Sequence, residues 1–384
     1  TMAAIAYPPR TLDLSAKLWS TPLPRSHGFE PLAVEGTLPA ELRGTLYRNG
    51  PGVFSIGARG YAHPFEADGA ITALRFDGTH VLGACHVTGS PELDRERAAG
   101  KPLYGFTASW TRRLRNMLRH HDKNVANTSV LLWQDRLLAM VESSLPTELD
   151  AQTLERLGET DLGGVVRRAF SAHPHRVAAR HAAYNFGVEQ GRKPQLVAYE
   201  LPDAGAARAI ASLPLAGPCM LHDFIATEHY LVWFVSPVRV AVPRLVFGDF
   251  TSAFQWKPAL GVEVIVLPID RPAELVRFQT DAFYQWHFAN AFESGDEIVV
   301  DYVRYPNFDS FYTVGGTLHG GPGDITQGRY HRARLSPSAR TLRSEPLSDR
   351  ACEFPTIVRG SEGREHGATY LALGDLGAVG KLDP

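Results

Sequence analysis

Cysteine, net charge and long apolar runs are all scarce in this chain of 384 residues. Its three cysteines, Cys85, Cys219 and Cys352, have no paired spacing, which argues against a disulfide framework or a thiolate metal site and favours a reducing, cytoplasmic compartment. A formal net charge of −2 offers no basic surface for nucleic acid. No window approaches the ~18 apolar residues of a membrane-spanning helix, and the N-terminus lacks the pattern of a signal peptide.

Glycine and proline, in contrast, are frequent and evenly spread, with 35 and 27 residues. The segments between them are short and rich in β-formers, as in YLVWFV, VEVIVLPI and EIVVDYV. Short strands separated by turn signals favour a sandwich, a barrel or a propeller over alternating βαβ units. The nearest approach to a phosphate-binding loop, GDLGAVGK, lacks the P-loop spacing. The composition therefore predicts an all-β protein.

Three histidines share a similar setting, in which an apolar stretch leads into the imidazole. They are His173 in FSAHPH, His222 in CMLHDF and His287 in FYQWHFAN. Their spacing is roughly one propeller blade, for which about 40–50 residues is usual, so one imidazole per blade would converge on the axis. Each histidine taken alone could equally be a hydrogen-bonded core residue. Converging imidazoles without thiolate or carboxylate would suit Fe, Zn, Ni or Cu.

Two carboxylates stand in apolar sequence and are expected to point inward from strands. Glu142 follows LLAMV, and Glu353 lies in ACEFPTI. Since a buried carboxylate needs a cation or a donor, each could pair with an arginine or a backbone group. Alternatively, each could accept the N–H of a metal-bound imidazole and so fix its tautomer.

The sequence SWTRRLRNMLRHHDK, residues 109–123, predicts a helix. Trp110, Leu114, Met117 and Leu118 recur at helical spacing, and arginines supply a basic face. This apolar face could pack on the body of the protein. It could also make a peripheral contact with a membrane that contains anionic lipid.

Eight segments, in order along the chain, resemble the carotenoid cleavage oxygenases of the retinal pigment epithelial membrane protein family. The resemblance extends from about residue 24 onward. The segments are LRGTLYRNGPG at 42–52, HPFEADGAI at 63–71, NVANTSV at 124–130, LLAMVESSLPTELD at 137–150, FSAHP at 170–174, LHDFIAT at 221–227, FYQWHFANAFE at 283–293 and ACEFPTI at 351–357.

The resemblance implies a seven-bladed β-propeller, with a dome of long loops and short helices over an axial non-haem Fe(II). Four histidines hold the iron in this family. By motif, His173, His222 and His287 correspond to three of these ligands, and Glu142 and Glu353 to two of the three glutamates that orient them. We therefore expect residues 1–384 to form a single propeller domain.

The resemblance is incomplete at the C-terminus. The family continues with a segment that carries the third glutamate and the fourth histidine, whereas this sequence ends at Pro384. The last blade is therefore expected to be incomplete. Either the sequence is part of a longer protein, or the protein is naturally short.

By resemblance, the expected reaction is oxidative cleavage of a C=C bond by O₂, giving two carbonyl products without an organic cofactor. Stilbene-cleaving relatives resemble one another in having a lysine directly before the glutamate that corresponds to Glu142, where this chain has Val141. A lipophilic polyene such as an apocarotenoid is therefore the expected substrate. The alternatives are an isomerase-type activity on a retinoid-like substrate, and a metal-poor, non-catalytic propeller that binds a lipophilic ligand or a protein.

Five apolar residues near the motif positions are candidates for lining a substrate tunnel, although each could instead pack in the core. They are Phe65, Phe106, Val141, Trp286 and Phe288.

Overall fold

The computed structural model describes residues 21–23, 25–316 and 327–373, together with the backbone of the short strands Ala3–Ala4 and Ala378–Leu382. The first half of the GDLGAVGK segment, residues 374–377, lies outside the described residues.

The chain divides into two compact units. The first, which we call the histidine unit, contains Thr1–Ala16, His173–Val242 and Thr251–Pro384. The second, the N-terminal unit, contains Lys17–Ala172 and Pro243–Phe250. A single domain over the whole chain stays a prediction.

The histidine unit is built from antiparallel sheets of four, four, two and seven strands. In spatial order the two four-stranded sheets are His175–Val177, Ala182–Glu189, Gln195–Pro202 and Arg208–Pro214, and Ile225–Ala226, Tyr230–Val235, Val262–Pro268 and Val276–Thr280. The two-stranded sheet is Val238–Val240 with Phe254–Trp256. The seven-stranded sheet is Ala3–Ala4, Ala378–Leu382, Thr369–Leu373, Thr341–Ile357, Arg329–Ser336, Glu297–Tyr305 and Tyr284–Ser294.

The N-terminal unit has the same construction, with two four-stranded sheets and one two-stranded sheet. Their strands are His27–Pro31, Val81–Val87, Asp68–Asp77 and Arg43–Val53; Arg156–Glu159, Thr147–Leu149, Arg136–Met140 and Ser129–Trp133; and Ser55–Ile56 with Arg59–Gly60.

Local sequence explains how tightly these strands are joined. Ser129–Trp133 and Arg136–Met140 are connected by only Gln134 and Asp135, whose φ angles are 48° and 63°. Two consecutive left-handed residues form the hairpin turn whose twist matches that of the flanking strands.

Strands in the middle of the histidine unit are buried on both faces. In Val262–Pro268, the side chains of Val262, Val264 and Val266 join one hydrophobic cluster. The alternating residues Ile265 and Leu267 join another. Because successive side chains point to opposite faces of a strand, this sheet is packed between two apolar layers. Such two-sided burial is what stacked propeller blades require.

Helices are few. The α-helices are Pro91–Ala99, Trp110–Leu118, Val242–Phe247 and Asp309–Gly316, and the 3₁₀ turns are Pro64–Glu66, Ala178–Arg180, Thr251–Ala253, Pro258–Leu260 and Pro272–Glu274. The helix predicted within residues 109–123 is confirmed as Trp110–Leu118. Among the described residues, none of the helices has the length and apolar character to cross a bilayer. The all-β class is confirmed, while the number of blades and the incomplete last blade stay predictions.

Candidate metal centre

Three imidazoles converge in the histidine unit. His173, His222 and His287 each offer one ring nitrogen, and these atoms all lie within 4.8 Å of one another. Nε2 of His222 is 3.4 Å from Nε2 of His287. The His173 ring centroid lies 4.3 Å from that of His222 and 5.1 Å from that of His287. Residues far apart in sequence thus form one cluster.

Each of these histidines is associated with the edge strand of a different sheet. His173 lies two residues before His175–Val177, and His222 lies three residues before Ile225–Ala226. His287 is inside Tyr284–Ser294, where the ladder to the neighbouring strand shifts register between Gln285 and Phe288. Such an irregularity re-aims a side chain that a regular strand would hold in alternation. The topology therefore brings one imidazole from each of three sheets to the same place.

The spacing of the nitrogens fits a single bound metal ion. Metal–imidazole bonds are about 2.0–2.1 Å long, so nitrogens on one ion lie roughly 3–4 Å apart. The 3.4 Å between the Nε2 atoms of His222 and His287 falls in this range. Within the described residues, the cluster contains only imidazoles. Imidazole ligands suit iron, zinc, nickel and copper better than magnesium or calcium.

Glu353 fixes the orientation of one of the three rings. Its Oε2 lies 2.7 Å from Nδ1 of His287 and accepts the backbone N–H of Phe354 at 2.5 Å. The other oxygen, Oε1, accepts the hydroxyl of Tyr305 at 3.0 Å. A carboxylate on Nδ1 favours the tautomer in which Nε2 carries the lone pair, which is the atom that faces His222. Burial, and then the charge of Glu353, raise the pKa of Tyr305, so its hydroxyl stays a donor.

A second buried carboxylate, Asp223, was missed by sequence reasoning. Its Oδ1 lies 2.9 Å from Nε2 of His175 and accepts the N–H of Phe224 at 2.8 Å, while Oδ2 accepts the N–H of Phe288 at 2.9 Å. Burial acts to raise the pKa of Asp223, but attraction to His175 and His173 outweighs it and the pKa is lowered. The sequence signal was present, because this aspartate directly follows His222 in an apolar segment.

Aromatic side chains surround the histidines. The Trp286 ring stands edge-on to His222, with centroids 4.9 Å apart, and its Nε1–H donates to Oγ of Ser310 at 2.8 Å. The ring of Phe354, which sequence reasoning did not select, lies 5.2 Å from that of His287 and is 53% exposed. Phe288, in contrast, is buried in a core cluster, so core packing is the contact that the structure gives it.

The remaining candidates belong to the N-terminal unit. Glu142 is half-buried and lies in the turn after Arg136–Met140, so the expected position in a strand was wrong, while its inward orientation stays a prediction. Val141 beside it is buried. The tunnel role of these residues, and the role of Glu142 as an imidazole partner, stay predictions.

Phe65 and Phe106 both pack against the ring of Phe250. Their centroids lie 6.4 and 5.1 Å from it. The guanidinium of Arg113 lies 4.7 Å from the centroid of Phe106. Within the N-terminal unit these two tunnel candidates therefore form a common aromatic cluster.

An all-β fold with converging imidazoles, one of them oriented by a buried carboxylate, defines a metal-dependent class of enzyme. The chain belongs to the retinal pigment epithelial membrane protein family, whose family model matches residues 22–383. The resemblance to carotenoid cleavage oxygenases is thus confirmed, and with it the class of oxidoreductase.

Characterised relatives agree with this assignment. The chain is 30% identical over 358 residues to apocarotenoid-15,15'-oxygenase of Synechocystis, covering 88% of this chain and 72% of that protein. It is 28% identical over 283 residues to isoeugenol monooxygenase of Pseudomonas putida, covering 71% of this chain and 57% of that protein. The chain thus spans little more than half the length of the second relative.

Solved structures show the same relationship. A cobalt-substituted form of the Synechocystis apocarotenoid oxygenase superimposes with a TM-score of 0.83 at 27% identity, covering 96% of this chain and 81% of that chain. A chimera of that oxygenase with retinal pigment epithelial membrane protein also gives a TM-score of 0.83, at 26% identity, with 96% and 81% coverage. The cobalt-substituted form shows that the family is metal-dependent.

Proposed function

We propose that this chain is an Fe(II)-dependent dioxygenase that cleaves a C=C bond of an apocarotenoid, or a similar lipophilic polyene, to give two carbonyl products. The observation that carries the proposal is the cluster of His173, His222 and His287, in which Glu353 orients one ring. Family membership supports the reaction class. The metal, the substrate and the residue roles are the proposed part.

His173, His222 and His287 would hold the metal through neutral ring nitrogens. Bound Fe(II) would supply the O₂ chemistry of the reaction. Glu353 keeps the Nδ1 proton of His287 in place, and Tyr305 and the Phe354 N–H keep Glu353 in place. Glu142 is proposed to act in the same way on a second imidazole. These contacts preorganise the donor nitrogens before any ligand arrives.

Substrate positioning would depend on apolar side chains. Trp286 is 6% exposed and is held edge-on to His222, with its own N–H already satisfied by Ser310. A rigid aromatic wall of this kind excludes water and limits the positions that a polyene can adopt. Val141 offers no amine to a phenolic hydroxyl, which supports a polyene over a hydroxystilbene.

The test is turnover of an apocarotenal by iron-loaded protein, in air, under nitrogen and with ¹⁸O₂. We expect two carbonyl products in air, none under nitrogen, and label in both products. A hydroxystilbene run in parallel should remain uncleaved. Cleavage of the hydroxystilbene without cleavage of the apocarotenal would overturn the substrate assignment.

A second candidate substrate is a phenylpropene such as isoeugenol. The observation that favours it is the 28% identity to isoeugenol monooxygenase of Pseudomonas putida. Including isoeugenol in the same assay separates the two classes. Oxygen-independent conversion of a retinoid-like ester would instead indicate the isomerase-type alternative, and a folded protein that binds no metal would indicate the non-catalytic one.

The proposal includes a cytoplasmic location with peripheral membrane contact through the Trp110–Leu118 helix. Trp110 and Leu118 are 55% and 71% exposed, whereas Leu114 and Met117 are half-buried, so the two ends of the predicted apolar face are its most exposed part. The three cysteines are buried as free thiols, as a reducing compartment allows. Co-sedimentation with anionic vesicles, lost on replacing Trp110 and Leu118 by serine, would support the contact. Equal sedimentation of both proteins would exclude it.

A further inference from the structure

The carboxylate of Asp223 touches all three segments that carry the candidate ligands. Asp223 directly follows His222 in the chain. Its Oδ1 accepts from His175, which lies two residues after His173. Its Oδ2 accepts the backbone N–H of Phe288, which directly follows His287. A single side chain that is 2% exposed thus joins chain segments that lie in, or just before, strands of three different sheets.

We propose that Asp223 is a positioning residue that sets the mutual placement of the three histidines through these hydrogen bonds. The inference rests on the proposed metal function and adds to it a residue that contacts neither metal nor substrate. Family resemblance assigns the orienting role to glutamates, whereas this aspartate acts on the chain segments around the imidazoles.

The His175 link is itself rigid. The His175 ring stands edge-on to Phe224, with centroids 5.1 Å apart at 82°. Phe224 is fully buried and stacks on Trp233 at 5.5 Å. His175 therefore has a fixed ring as well as a fixed partner, and movement of Asp223 would be transmitted to the segment that begins at His173.

The hydrogen bond between Asp223 and Phe288 lies where the strand pairing is irregular. The pairing of Tyr284–Ser294 with Glu297–Tyr305 shifts register on both sides of Phe288. A hydrogen bond from the Phe288 N–H to Asp223 at 2.9 Å supplies a fixed point there. The position of His287 next to it therefore depends on a side chain as well as on the strand ladder.

Only a carboxylate serves all three donors. Two N–H groups converge on Oδ1 and a third on Oδ2. Asparagine has one acceptor oxygen, and its NH₂ group would face an N–H donor on the other side. Asp223→Asn keeps the size of the side chain but must lose at least one of the links.

A matched control is available in the same unit. Asp301 is 1% exposed and accepts both N–H groups of Arg332 at 2.8 Å. Asp301 contacts Arg332 and the ring of His366, neither of which lies beside a candidate ligand. Asp301→Asn therefore neutralises an equally buried carboxylate without cutting a link between the histidine segments.

The experiment measures the affinity of each protein for Co²⁺ by competition with a chelator, and records the cobalt d–d absorption. For Asp223→Asn we expect affinity to fall by about 10–100-fold, the range for loss of a residue that supports metal ligands, with a changed spectrum. Asp301→Asn should keep the wild-type affinity and spectrum. Circular dichroism establishes that each variant is folded.

A milder variant guards against failure of Asp223→Asn to fold. His175→Phe keeps an aromatic ring but removes one donor, so we expect a smaller loss of cobalt affinity in the same direction. For apocarotenal turnover, both variants should lower kcat while leaving KM within about twofold, because neither residue would touch substrate.

Two results would separate failure of this inference from failure of the proposed function. Unchanged cobalt affinity and spectrum in Asp223→Asn and His175→Phe, or an equal loss in Asp301→Asn, would overturn the positioning role alone. A folded wild-type protein that binds no Co²⁺ would overturn the proposed function, and the inference with it.

Discussion

Nδ1 of His287 and Oε2 of Glu353 are 2.7 Å apart, and this pair is the best-defined element of the candidate centre. Glu353 in turn accepts the hydroxyl of Tyr305 at 3.0 Å. The chain of contacts therefore extends from the ligand to a buried tyrosine. It makes the candidate site sensitive to residues that no metal ion would touch.

Removing the charge of Glu353 is expected to weaken metal binding strongly. Oε2 of Glu353 accepts from the His287 ring and the Phe354 N–H, and Oε1 accepts from the Tyr305 hydroxyl. In Glu353→Gln one of these oxygens becomes an NH₂ group and the negative charge is lost, so we expect Co²⁺ affinity to fall by about 10–100-fold. Glu345→Gln, an exposed residue on the same strand, is the control. Equal affinities in the two variants would contradict the assigned role of Glu353.

Removing the Tyr305 hydroxyl is expected to have a smaller effect. Tyr305→Phe deletes one hydrogen bond to Glu353, worth about 0.5–1.5 kcal/mol, so Co²⁺ affinity should fall by roughly twofold to tenfold. Tyr302→Phe is the matched control. Tyr302 is a buried residue of the same strand, and its hydroxyl bonds Oγ of Ser344 at 3.0 Å instead of Glu353. A loss of affinity in the control as large as in Tyr305→Phe would show a general packing effect.

Lys123 is expected to be essential for the stability of the N-terminal unit. Its Nζ lies 2.7 Å from both Asp68 and Glu96, and all three side chains are buried. Lys123→Met leaves two buried carboxylates without their cation, which should cost about 3–5 kcal/mol of the free energy of unfolding at neutral pH. The exposed Arg25 pairs with Glu30, so Arg25→Met should leave that free energy nearly unchanged. Urea denaturation monitored by fluorescence measures both.

The loss of unfolding free energy caused by Lys123→Met is expected to depend on pH. Burial raises the pKa of Asp68 even in the presence of Lys123. A carboxyl whose pKa is higher in the folded protein than in the unfolded chain is tolerated in its protonated form. The free energy of unfolding therefore falls as the pH rises and the buried group must ionise. The deficit of the variant should therefore be smaller at pH 4 than at pH 7. A deficit independent of pH would contradict the assignment of the lost stability to these carboxylates.

His331 is expected to make the protein less stable in mild acid. Burial, and then the charge of Arg304, lower the pKa of His331 from 6.5 to about 4. The unfolded chain then binds a proton near pH 6.5 that the folded protein does not bind until about pH 4, so stability is lost as the pH falls through this interval. His331→Gln should flatten that part of the stability curve.

The control for His331 is His181→Asn, at an imidazole that is 85% exposed. The quantity compared is the slope of the unfolding free energy against pH between pH 6.5 and 4. A difference in stability between the proteins that is the same at every pH does not affect this slope. Identical slopes for wild type and His331→Gln would contradict the prediction.

The sequence was sufficient to select His173, His222, His287 and Glu353, because each stands in an apolar stretch and inside a segment that resembles the family. Strand alternation and blade-length spacing then predict that the histidines converge. The all-β class followed from the frequent turn residues. These features are local, and local patterns are what a sequence displays directly.

Long-range contacts were not accessible in this way. Asp223 directly follows His222 in an apolar segment, but the sequence does not show that it contacts Phe288, 65 residues away. Nothing in the local sequence distinguishes His175, yet it bonds Asp223 across 48 residues. Phe288 is a tunnel candidate because it adjoins His287; in the structure it packs in a core cluster, and its tunnel role stays a prediction. For Asp223 and His175 the deciding partner comes from a segment distant in the sequence.

The most direct test of the account is the iron content per chain of wild-type protein and of His222→Ala, measured by elemental mass spectrometry after loading with Fe(II) and removal of free metal. We predict close to one iron per chain in the wild type and little in the variant. Wild-type protein that is folded but retains no iron, or equal iron in both proteins, would contradict the claim that these histidines form the metal centre.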